Sequence, residues 1–453
     1  MKSQIKKLLS LCLALLIGGL TVNAQMNSGA LQNNNGKAGT FVIKNAKIFT
    51  VSGAVIENGT IVIKDGKILA VGATPTAPSG AEVIDAKGLS VYPGMINAAT
   101  NLGLVEVAEQ GAPGPNDLPE VGDNNANEKA ITAVNPYSAF VNVSRVSGIT
   151  TVLTKPESGV ISGQSAIINL VGSTAGEMTV VANNALVINF PRVAGGRFGG
   201  FGGFGGQALD FNELVRRRDT QVEALKKTFK DALEYGRLQD AYAKDKTLPK
   251  PKTDLRMAAI VPFARGEKPI IFTAERERDI KAVIKFADDT KTKAIILGGQ
   301  EASRAATELK QKNIPVIYTN IYAVPTRDDD AYDAFFVEPG KLQKAGVQFC
   351  IATNGENAII RDLPEQAGMA AAFDLPKEEA LKAVTLYPAQ ILGVADKLGS
   401  LEVGKVANVV VTDGDMLDNR TKVKYLFING RLLPLTSRHT ELYEQFKDRN
   451  PGK

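Results

Sequence analysis

Histidine is almost absent from this chain, since its 453 residues include a single one, His439. Sites that need two or more imidazoles cannot be built from one such chain. The scarcity therefore excludes His-x-His metal sites, His₃ zinc centres and HExxH proteases. A Ser-His-Asp or Cys-His mechanism would have only His439 available. Its position in a predicted C-terminal helix favours a role at the surface.

Cysteine is nearly as scarce, with Cys12 and Cys350 as the two in the sequence. Cys12 lies in a predicted signal peptide, so an intrachain disulfide in the mature protein is excluded. Cys350 lies in the apolar run 347–352. That setting is typical of a buried strand cysteine.

The N-terminal residues have the pattern of a secretory signal. Lys2, Lys6 and Lys7 precede an apolar stretch at residues 8–20, and small residues end at Ala24. The pattern predicts a signal peptide at residues 1–24, a mature chain from Gln25, and export to the periplasm or beyond. The alternative is an N-terminal membrane anchor. No other stretch has about 18 consecutive apolar residues, so the mature protein is predicted to be soluble.

Charge excludes a further class of partner. The sequence has 53 basic and 48 acidic residues, and the signal peptide takes three of the lysines. The mature chain is therefore close to neutral. This gives no electrostatic reason to expect binding to nucleic acid or to an anionic membrane.

Both ends of the mature chain predict short strands. The N-terminal strands are expected at residues 41–43, 60–63, 68–71 and 81–84, with tight turns at Asn58-Gly59 and Asp65-Gly66. The C-terminal strands are expected at residues 408–412 and 425–428. Strands from opposite ends of the chain are expected to form one small sheet structure.

The middle of the chain alternates between apolar runs and helical patterns. The runs lie at residues 149–153, 257–261, 269–272, 293–297, 315–318 and 346–352. Apolar residues at helical spacing lie within residues 280–287 and 302–309. Strand spacings of roughly 20 to 35 residues favour βα units, and over about 300 residues a (β/α)₈ barrel is the natural closure.

These patterns predict an α/β protein with the following parts. A flexible segment spans residues 25–39, and a composite β domain spans residues 40–92 and 398–435. The barrel spans residues 93–397, and a tail covers residues 436–453. A Gly-rich insertion at residues 194–207 is predicted to be a flexible surface loop, and a helical insertion follows at residues 208–250. The two insertions could form a lid or a decorated edge. Asp328, Asp329 and Asp330 suggest a solvated loop or a Ca²⁺ site.

Several motifs converge on one family. They are residues 61–68 (IVIKDGKI), 82–88 (EVIDAKG), 92–96 (YPGMI), 380–385 (ALKAVT), 388–393 (PAQILG), 398–405 (LGSLEVGK) and Ala407-Asn408. Together they resemble the amidohydrolase superfamily, especially the imidazolonepropionase-like group, over most of residues 40–435. The resemblance implies a TIM-type barrel with a small β-sandwich domain built from both chain ends. It also implies metal-dependent hydrolysis of non-peptide C–N bonds.

The metal positions depart from that family. There the Pro-Gly motif runs into a His-x-His pair, and further histidines and an aspartate complete a site that activates water. Here the matching positions hold Ala99 and Asn101, a later histidine position matches Thr273, and the aspartate matches Asn354. These residues predict no conventional metal and no other cofactor. The alternative is a divalent ion held by carboxylates.

Other candidates follow the ends of predicted strands, where barrel sites lie. Lys155, Glu301 and Asn354 are the candidate catalytic residues. Further carboxylates are Glu106, Glu109 and Glu275, and a polar loop lies at residues 162–165. A lysine with a carboxylate supports proton transfer, and two or three carboxylates hold Mg²⁺ or Ca²⁺. For each of these residues, a loop salt bridge or a helix cap is the favoured interpretation.

Three functions remain open. The first is a secreted amidohydrolase-related hydrolase that is weak, atypical or inactive because it lacks the histidine ligands. The second is a non-catalytic barrel that binds a small ligand or an active homologous partner, as a homo- or hetero-oligomer. The third is metal-free catalysis by Lys155 and a carboxylate.

Overall fold

The computed structural model describes residues 35–106, 117, 120–193, 210–325, 330–355 and 357–449. The predicted signal peptide, the Gly-rich insertion, Glu109, Asp328 and Asp329 lie outside these residues. None of the helices in the described part of the chain is both long and apolar enough to cross a membrane.

Strands and helices alternate over residues 269–351, whereas both chain ends consist mainly of consecutive strands. The strands are β1 (Phe41–Ile48), β2 (Ile56–Lys64), β3 (Lys67–Gly72), β4 (Glu82–Asp85), β5 (Ser90–Pro93), β6 (Met95–Thr100), β7 (Ile149–Thr154), β8 (Ile161–Gln164), β9 (Ala166–Asn169), β10 (Thr179–Val181), β11 (Leu186–Ile188), β12 (Pro269–Ala274), β13 (Lys293–Gly298), β14 (Val316–Tyr318), β15 (Phe349–Ile351), β16 (Val409–Thr412), β17 (Val423–Ile428) and β18 (Arg431–Leu433). The α-helices are α1 (Ala130–Ala133), α2 (Ala139–Arg145), α3 (Ala175–Met178), α4 (Phe211–Lys244), α5 (Leu255–Ala264), α6 (Glu277–Thr290), α7 (Ala306–Gln311), α8 (Ala334–Ala345), α9 (Leu363–Ala372), α10 (Lys377–Ala383), α11 (Leu386–Ile391) and α12 (Arg438–Phe446).

Both ends of the chain contribute to one sheet of eight strands. Its order is β18-β17-β16-β5-β1-β2-β3, with β4 also paired to β1. Val409 of β16 lies opposite Pro93 of β5, so the C-terminal strands join the N-terminal ones directly. The composite nature of this sheet follows from these pairings, while its description as a sandwich domain stays a prediction.

The predicted turns have mixed outcomes. Asp65 and Gly66 both have positive φ, of 51° and 78°, and connect β2 to β3 as expected. The turn at Asn58-Gly59 is wrong, because both residues lie inside β2. A Cβ atom at Gly59 would lie 2.5 Å from Cδ1 of Ile48 on β1. The glycine therefore admits a neighbouring side chain and makes no turn.

The central strands form two further sheets. Their orders are β10-β9-β7-β6 and β15-β14-β13-β12-β11-β8. Neighbours from β11 to β15 are parallel, as the βα spacing predicted. The expectation of parallel strands fails at β8 and β9, which run antiparallel to β11 and β7. The short connection from β7 to β8 contains no helix, and a parallel crossover needs a dozen or more residues.

Backbone hydrogen bonds link these two sheets at both edges. Between β8 and β9, the Ser165 N–H donates to Ala185 O at 2.9 Å. At the other edge, the Asn354 N–H donates to Ala99 O at 3.2 Å and brings the end of β15 to β6. These bonds place the four-stranded and the six-stranded sheet next to each other. The closed (β/α)₈ barrel itself stays a prediction.

Two helical predictions need correction or refinement. The apolar run 257–261, which was expected to be a strand, lies in helix α5. The Asp254 carboxylate accepts from the Met257 N–H at 2.9 Å and caps this helix. A short apolar run does not by itself distinguish a buried strand from a buried helix. Residues 302–309 begin as a 3₁₀ turn at Ala302–Ala305 before α7.

Helix α4 forms most of the helical insertion predicted at residues 208–250. Leu225 and Phe229 are buried, whereas Leu233 is 39% exposed. Phe229 contacts Phe286 of α6 edge to face at 5.6 Å. Packing of α4 on α6 therefore attaches the long helix to the layer that covers β12.

Candidate functional site

Polar side chains extend the inner face of the central strands beyond its apolar core. Leu153, Ile271 and Ile317 belong to one buried apolar cluster. Successive side chains in a strand alternate between its two faces. Lys155, Thr273 and Thr319, each two residues further on, therefore continue the same inner face at the carboxyl ends of β7, β12 and β14.

Backbone contacts bring the ends of three strands together. The Lys155 N–H donates to Thr100 O at 3.0 Å, and the Asn354 N–H donates to Ala99 O at 3.2 Å. The ends of β7 and β15 therefore flank the end of β6, where Asn101 follows. The structure thus brings together Ala99, Asn101, Lys155 and Asn354, which sequence analysis had placed at separate motifs.

Three oxygen atoms at these strand ends are buried without a partner. They are Oδ1 of Asn101, Oγ1 of Thr319 and Oδ1 of Asn354, and none has a hydrogen-bond partner among the described residues. Leaving such an atom unsatisfied costs about 1–3 kcal/mol, so buried polar atoms are normally paired with protein, water or ligand. Their concentration at one edge marks this edge as the candidate binding site.

Lys155 places a buried cation at the same edge. Its side chain is 3% exposed, and its ammonium group forms an ion pair with Glu157, whose side chain is 36% exposed. A buried ammonium needs a counter-charge, because an uncompensated ion in the interior is strongly destabilising. Glu157 is therefore the carboxylate that pairs with Lys155, and sequence analysis had not named it.

Thr273 is held by contacts to its own neighbours. Its hydroxyl donates to Ile188 O and accepts from the Phe190 N–H, both at 3.3 Å. Asn189 continues this network by donating to Ser162 Oγ at 3.1 Å. Thr273 therefore joins β12 to the end of β11. Sequence analysis missed Asn189 and Thr319, although each lies two residues after a buried apolar strand residue.

The side chain of Glu301, which follows β13, contacts the N-terminus of α6. Its Oε2 accepts from the Glu277 N–H at 2.9 Å, as expected for a carboxylate that caps a helix N-terminus. It lines a groove of about 350 Å³ together with Arg276, Arg278 and Lys281. These contacts favour the helix-cap interpretation of Glu301. Catalytic roles for Glu301, Lys155 and Asn354 stay predictions.

The polar loop expected at residues 162–165 is instead mostly strand β8, and two further candidates have protein partners. Glu106 Oε1 accepts from Asn135 Nδ2 at 3.2 Å, and Gln164 Nε2 donates to Ala126 O at 2.9 Å. His439 is exposed on α12 and lies 3.1 Å from Arg361 Nη1 through its Nδ1. Burial raises the pKa of the Cys350 thiol. This agrees with the expected core strand position for the cysteine and with a surface position for the histidine.

A metal site needs several ligating side chains close together in the part of the chain that the structure describes. No group of three or more His, Cys, Asp or Glu side chains within it is placed to hold a metal ion. Ala99 has no ligating atom, and Asn101, Thr273 and Asn354 offer only neutral oxygen or nitrogen. These donors do not fit the zinc chemistry that imidazole and carboxylate ligands support.

The closing motif of residues 398–405 has a structural role. Lys405 Nζ donates to Ser400 Oγ at 2.6 Å and to Glu402 Oε1 at 2.9 Å. The Ser400 hydroxyl, followed by Lys405, lowers the pKa of Glu402 to about 2. The backbone of this segment bonds to β3, where the Ile68 N–H donates to Lys405 O at 2.9 Å. This motif therefore holds the two ends of the chain together.

Comparison with known proteins supports the sequence resemblance at a coarser level. Residues 337–433 match the model of the Amidohydrolase family. None of the curated proteins matches the chain in sequence. The imidazolonepropionase-like subgroup stays a prediction.

Solved structures share the fold. An amidohydrolase from Thermotoga maritima MSB8 superposes with a TM-score of 0.76 at 24% identity, over 88% of this chain and 100% of that chain. A putative prolidase from Bifidobacterium longum gives a TM-score of 0.52 at 15% identity, over 91% and 99% of the two chains. A prolidase complexed with N-methylphosphonate-L-proline gives 0.52 at 17% identity, over 87% and 99%. The protein thus has the overall fold of solved amidohydrolases and carries an amidohydrolase-family domain match at residues 337–433.

Proposed function

We propose that this protein is an exported, amidohydrolase-like barrel protein that binds a small polar molecule at the carboxyl ends of its central strands. The supporting observation is the set of three buried, unpartnered oxygens of Asn101, Thr319 and Asn354 beside the buried Lys155. An active amidohydrolase of the conventional kind needs a metal-activated water and a general base. The amide of Asn354 cannot serve as that base.

Conventional hydrolysis of C–N bonds is therefore expected to be very slow or absent. A metal-free route is the second candidate, and the Lys155–Glu157 ion pair is the observation that favours it. A lysine and a carboxylate in contact provide both partners for proton transfer. Unchanged hydrolysis in a Lys155→Ala variant would remove this candidate.

Metal content is the first test of the proposal. Cells are grown with added zinc, manganese and magnesium, and the metal in the purified protein is quantified by mass spectrometry. We expect far less than one equivalent per chain after dialysis against chelator, because the candidate positions lack imidazole and carboxylate ligands. Hydrolysis of cyclic amides, imides and N-acyl compounds is expected to match the protein-free blank.

The contrary result is well defined. A near-stoichiometric metal that survives chelator, together with hydrolysis that depends on it, would show that oxygen ligands have rebuilt a site. The proposal of a metal-independent binding protein would then be wrong.

Export is part of the same proposal and rests on the pattern of residues 1–24. We expect protein recovered from the producing cell to begin at Gln25, because a signal peptidase cleaves after small residues. N-terminal sequencing of the protein from separated cell fractions measures this. An intact N-terminus in the membrane fraction would instead identify an anchor.

Partners follow from the site and the charge balance. We propose a small molecule as the ligand, without nucleic acid or membrane lipid. Assembly as a homo-oligomer or with an active homologue belongs to the same proposal. Size-exclusion chromatography with light scattering tests the homo-oligomer, and a monomer would exclude it.

A further inference from the structure

We propose that Lys155 binds the carboxylate of a small ligand in place of Glu157, while Asn101 and Asn354 accept hydrogen bonds from N–H groups of the same ligand. This inference rests on the proposed function, since it uses the same strand ends. It adds the chemical class of the ligand and a competing group within the protein.

The first step concerns the anion position. Lys155 is 3% exposed, whereas its partner Glu157 is 36% exposed, so the carboxylate side of the pair faces solvent. Glu157 lies two residues after Lys155, in the connection from β7 to β8. Exchange of its carboxylate for that of a ligand keeps the buried ammonium paired. The exchange therefore avoids the penalty of an uncompensated buried charge.

The second step concerns the unpartnered oxygens. Asn101 is 7% exposed and Thr319 is 0% exposed, and their side-chain oxygens have no partner among the described residues. Oδ1 of Asn354 is also buried and also lacks a hydrogen-bond partner among the described residues. An amide oxygen can only accept a hydrogen bond, so the two asparagines call for donor groups on the ligand. The Thr319 hydroxyl can donate or accept.

The third step concerns spacing. Lys155 and Asn354 are hydrogen-bonded through their backbones to Thr100 and Ala99, on the two sides of β6. Neighbouring strands lie about 4.8 Å apart, so the ends of β7 and β15 are about 10 Å apart across β6. Side chains that point inward reduce this span. A molecule with a carboxylate a few bonds from an N–H group fits it.

A free metal cation fits these groups less well. The ammonium of Lys155 lies at the same edge and would repel it, and the unpartnered groups are neutral. The ligand must offer an anion to Lys155 and N–H donors to the two asparagines. A small carboxylate that also carries N–H meets both requirements.

Calorimetric titration tests the inference with three probes. N-acetylglycine carries both a carboxylate and an N–H, acetate carries only the carboxylate, and acetamide carries only the N–H. We expect N-acetylglycine to bind more tightly than either fragment. Lys155→Met should lower the affinity for N-acetylglycine by about tenfold or more, because a hydrogen-bonded charge is lost. The affinity of this variant for acetamide should stay within about twofold of the wild-type value, since the contacts of acetamide do not involve the ammonium.

Glu157→Gln is expected to raise the affinity for N-acetylglycine, whereas Lys155→Met lowers it. The neutral amide removes the competing carboxylate and keeps an acceptor for Lys155, so N-acetylglycine should bind about threefold to tenfold more tightly. Lys227→Met is the matched control, because Lys227 forms an exposed pair with Asp231 on α4 at 2.6 Å. It should leave all three affinities unchanged. Circular dichroism confirms that each variant is folded.

The outcomes separate the two proposals. Equal affinity of the wild type and Lys155→Met for N-acetylglycine would overturn the carboxylate site. Acetamide binding that is lost in Asn101→Leu, with no binding of N-acetylglycine even by Glu157→Gln, would overturn it too but keep the proposed function. Absence of binding by all three probes to the wild type and to Glu157→Gln would count against both.

Discussion

Replacement of Phe286 by alanine is expected to lower the free energy of unfolding by about 3–5 kcal/mol. Phe286 is fully buried on α6 and lies 5.5 to 5.9 Å, ring centre to ring centre, from three other phenylalanines. These are Phe190, which follows β11, Phe229 on α4 and Phe272 on β12. Truncation removes contacts to three elements at once and leaves a cavity that these strands and helices cannot readily close.

Urea denaturation followed by circular dichroism measures this loss. Phe211→Ala is the matched control, because Phe211 is 58% exposed at the start of α4. Its substitution is expected to change the free energy of unfolding by less than about 0.5 kcal/mol. Equal effects of the two substitutions would show that the phenylalanine cluster does not hold α4 and α6 to the strands.

Asn408→Ala is expected to cost about 2–4 kcal/mol of unfolding free energy, because its loss leaves buried groups unsatisfied. Asn408 Nδ2 donates to Thr151 Oγ1 at 3.2 Å and to Asn169 Oδ1 at 3.1 Å. Its Oδ1 accepts from the Asn429 N–H at 2.9 Å. The side chain therefore connects β7 and β9 of the central strands with the turn between β17 and β18.

The control for this substitution is Asn419→Ala, because Asn419 is exposed. Thermal unfolding of both variants beside the wild type gives the comparison. We expect a clear fall in the unfolding midpoint for Asn408→Ala and almost none for Asn419→Ala. Equal midpoints would mean that the network around Asn408 contributes no net stability and that the motif at residues 407–408 has another purpose.

These two experiments concern the scaffold, whereas the candidate site lies elsewhere. The motifs that resemble the amidohydrolase superfamily most closely, residues 398–405 and Ala407-Asn408, hold the chain ends together. The hydrogen bonds of these motifs do not involve Ala99 or Asn101. The residues that hold the chain ends together are therefore separate from those of the candidate site.

Local sequence pattern was sufficient to predict several strands and helices of this protein. Residue counts limited the available imidazole to His439, whatever the fold. Strand periodicity predicted β12, β13 and β14, because continuous apolar runs between helices are typical of strands buried on both faces. The amphipathic spacing of residues 280–287 predicted α6. Each of these signals depends on neighbours within a few residues along the chain.

Other features depend on residues that are distant in sequence and close in space. Gly59 has the sequence of a turn but lies within β2, because Ile48 of β1 occupies the space beside it. The run 257–261 lies in helix α5, and Val261 of this helix packs against Gly236 of α4. The meeting of Asn101, Lys155, Thr319 and Asn354 arises only when β6, β7, β14 and β15 lie side by side. Composition alone excludes a site with two or more histidines from one chain. Which polar groups meet depends on burial and strand pairing, because both are set by long-range contacts.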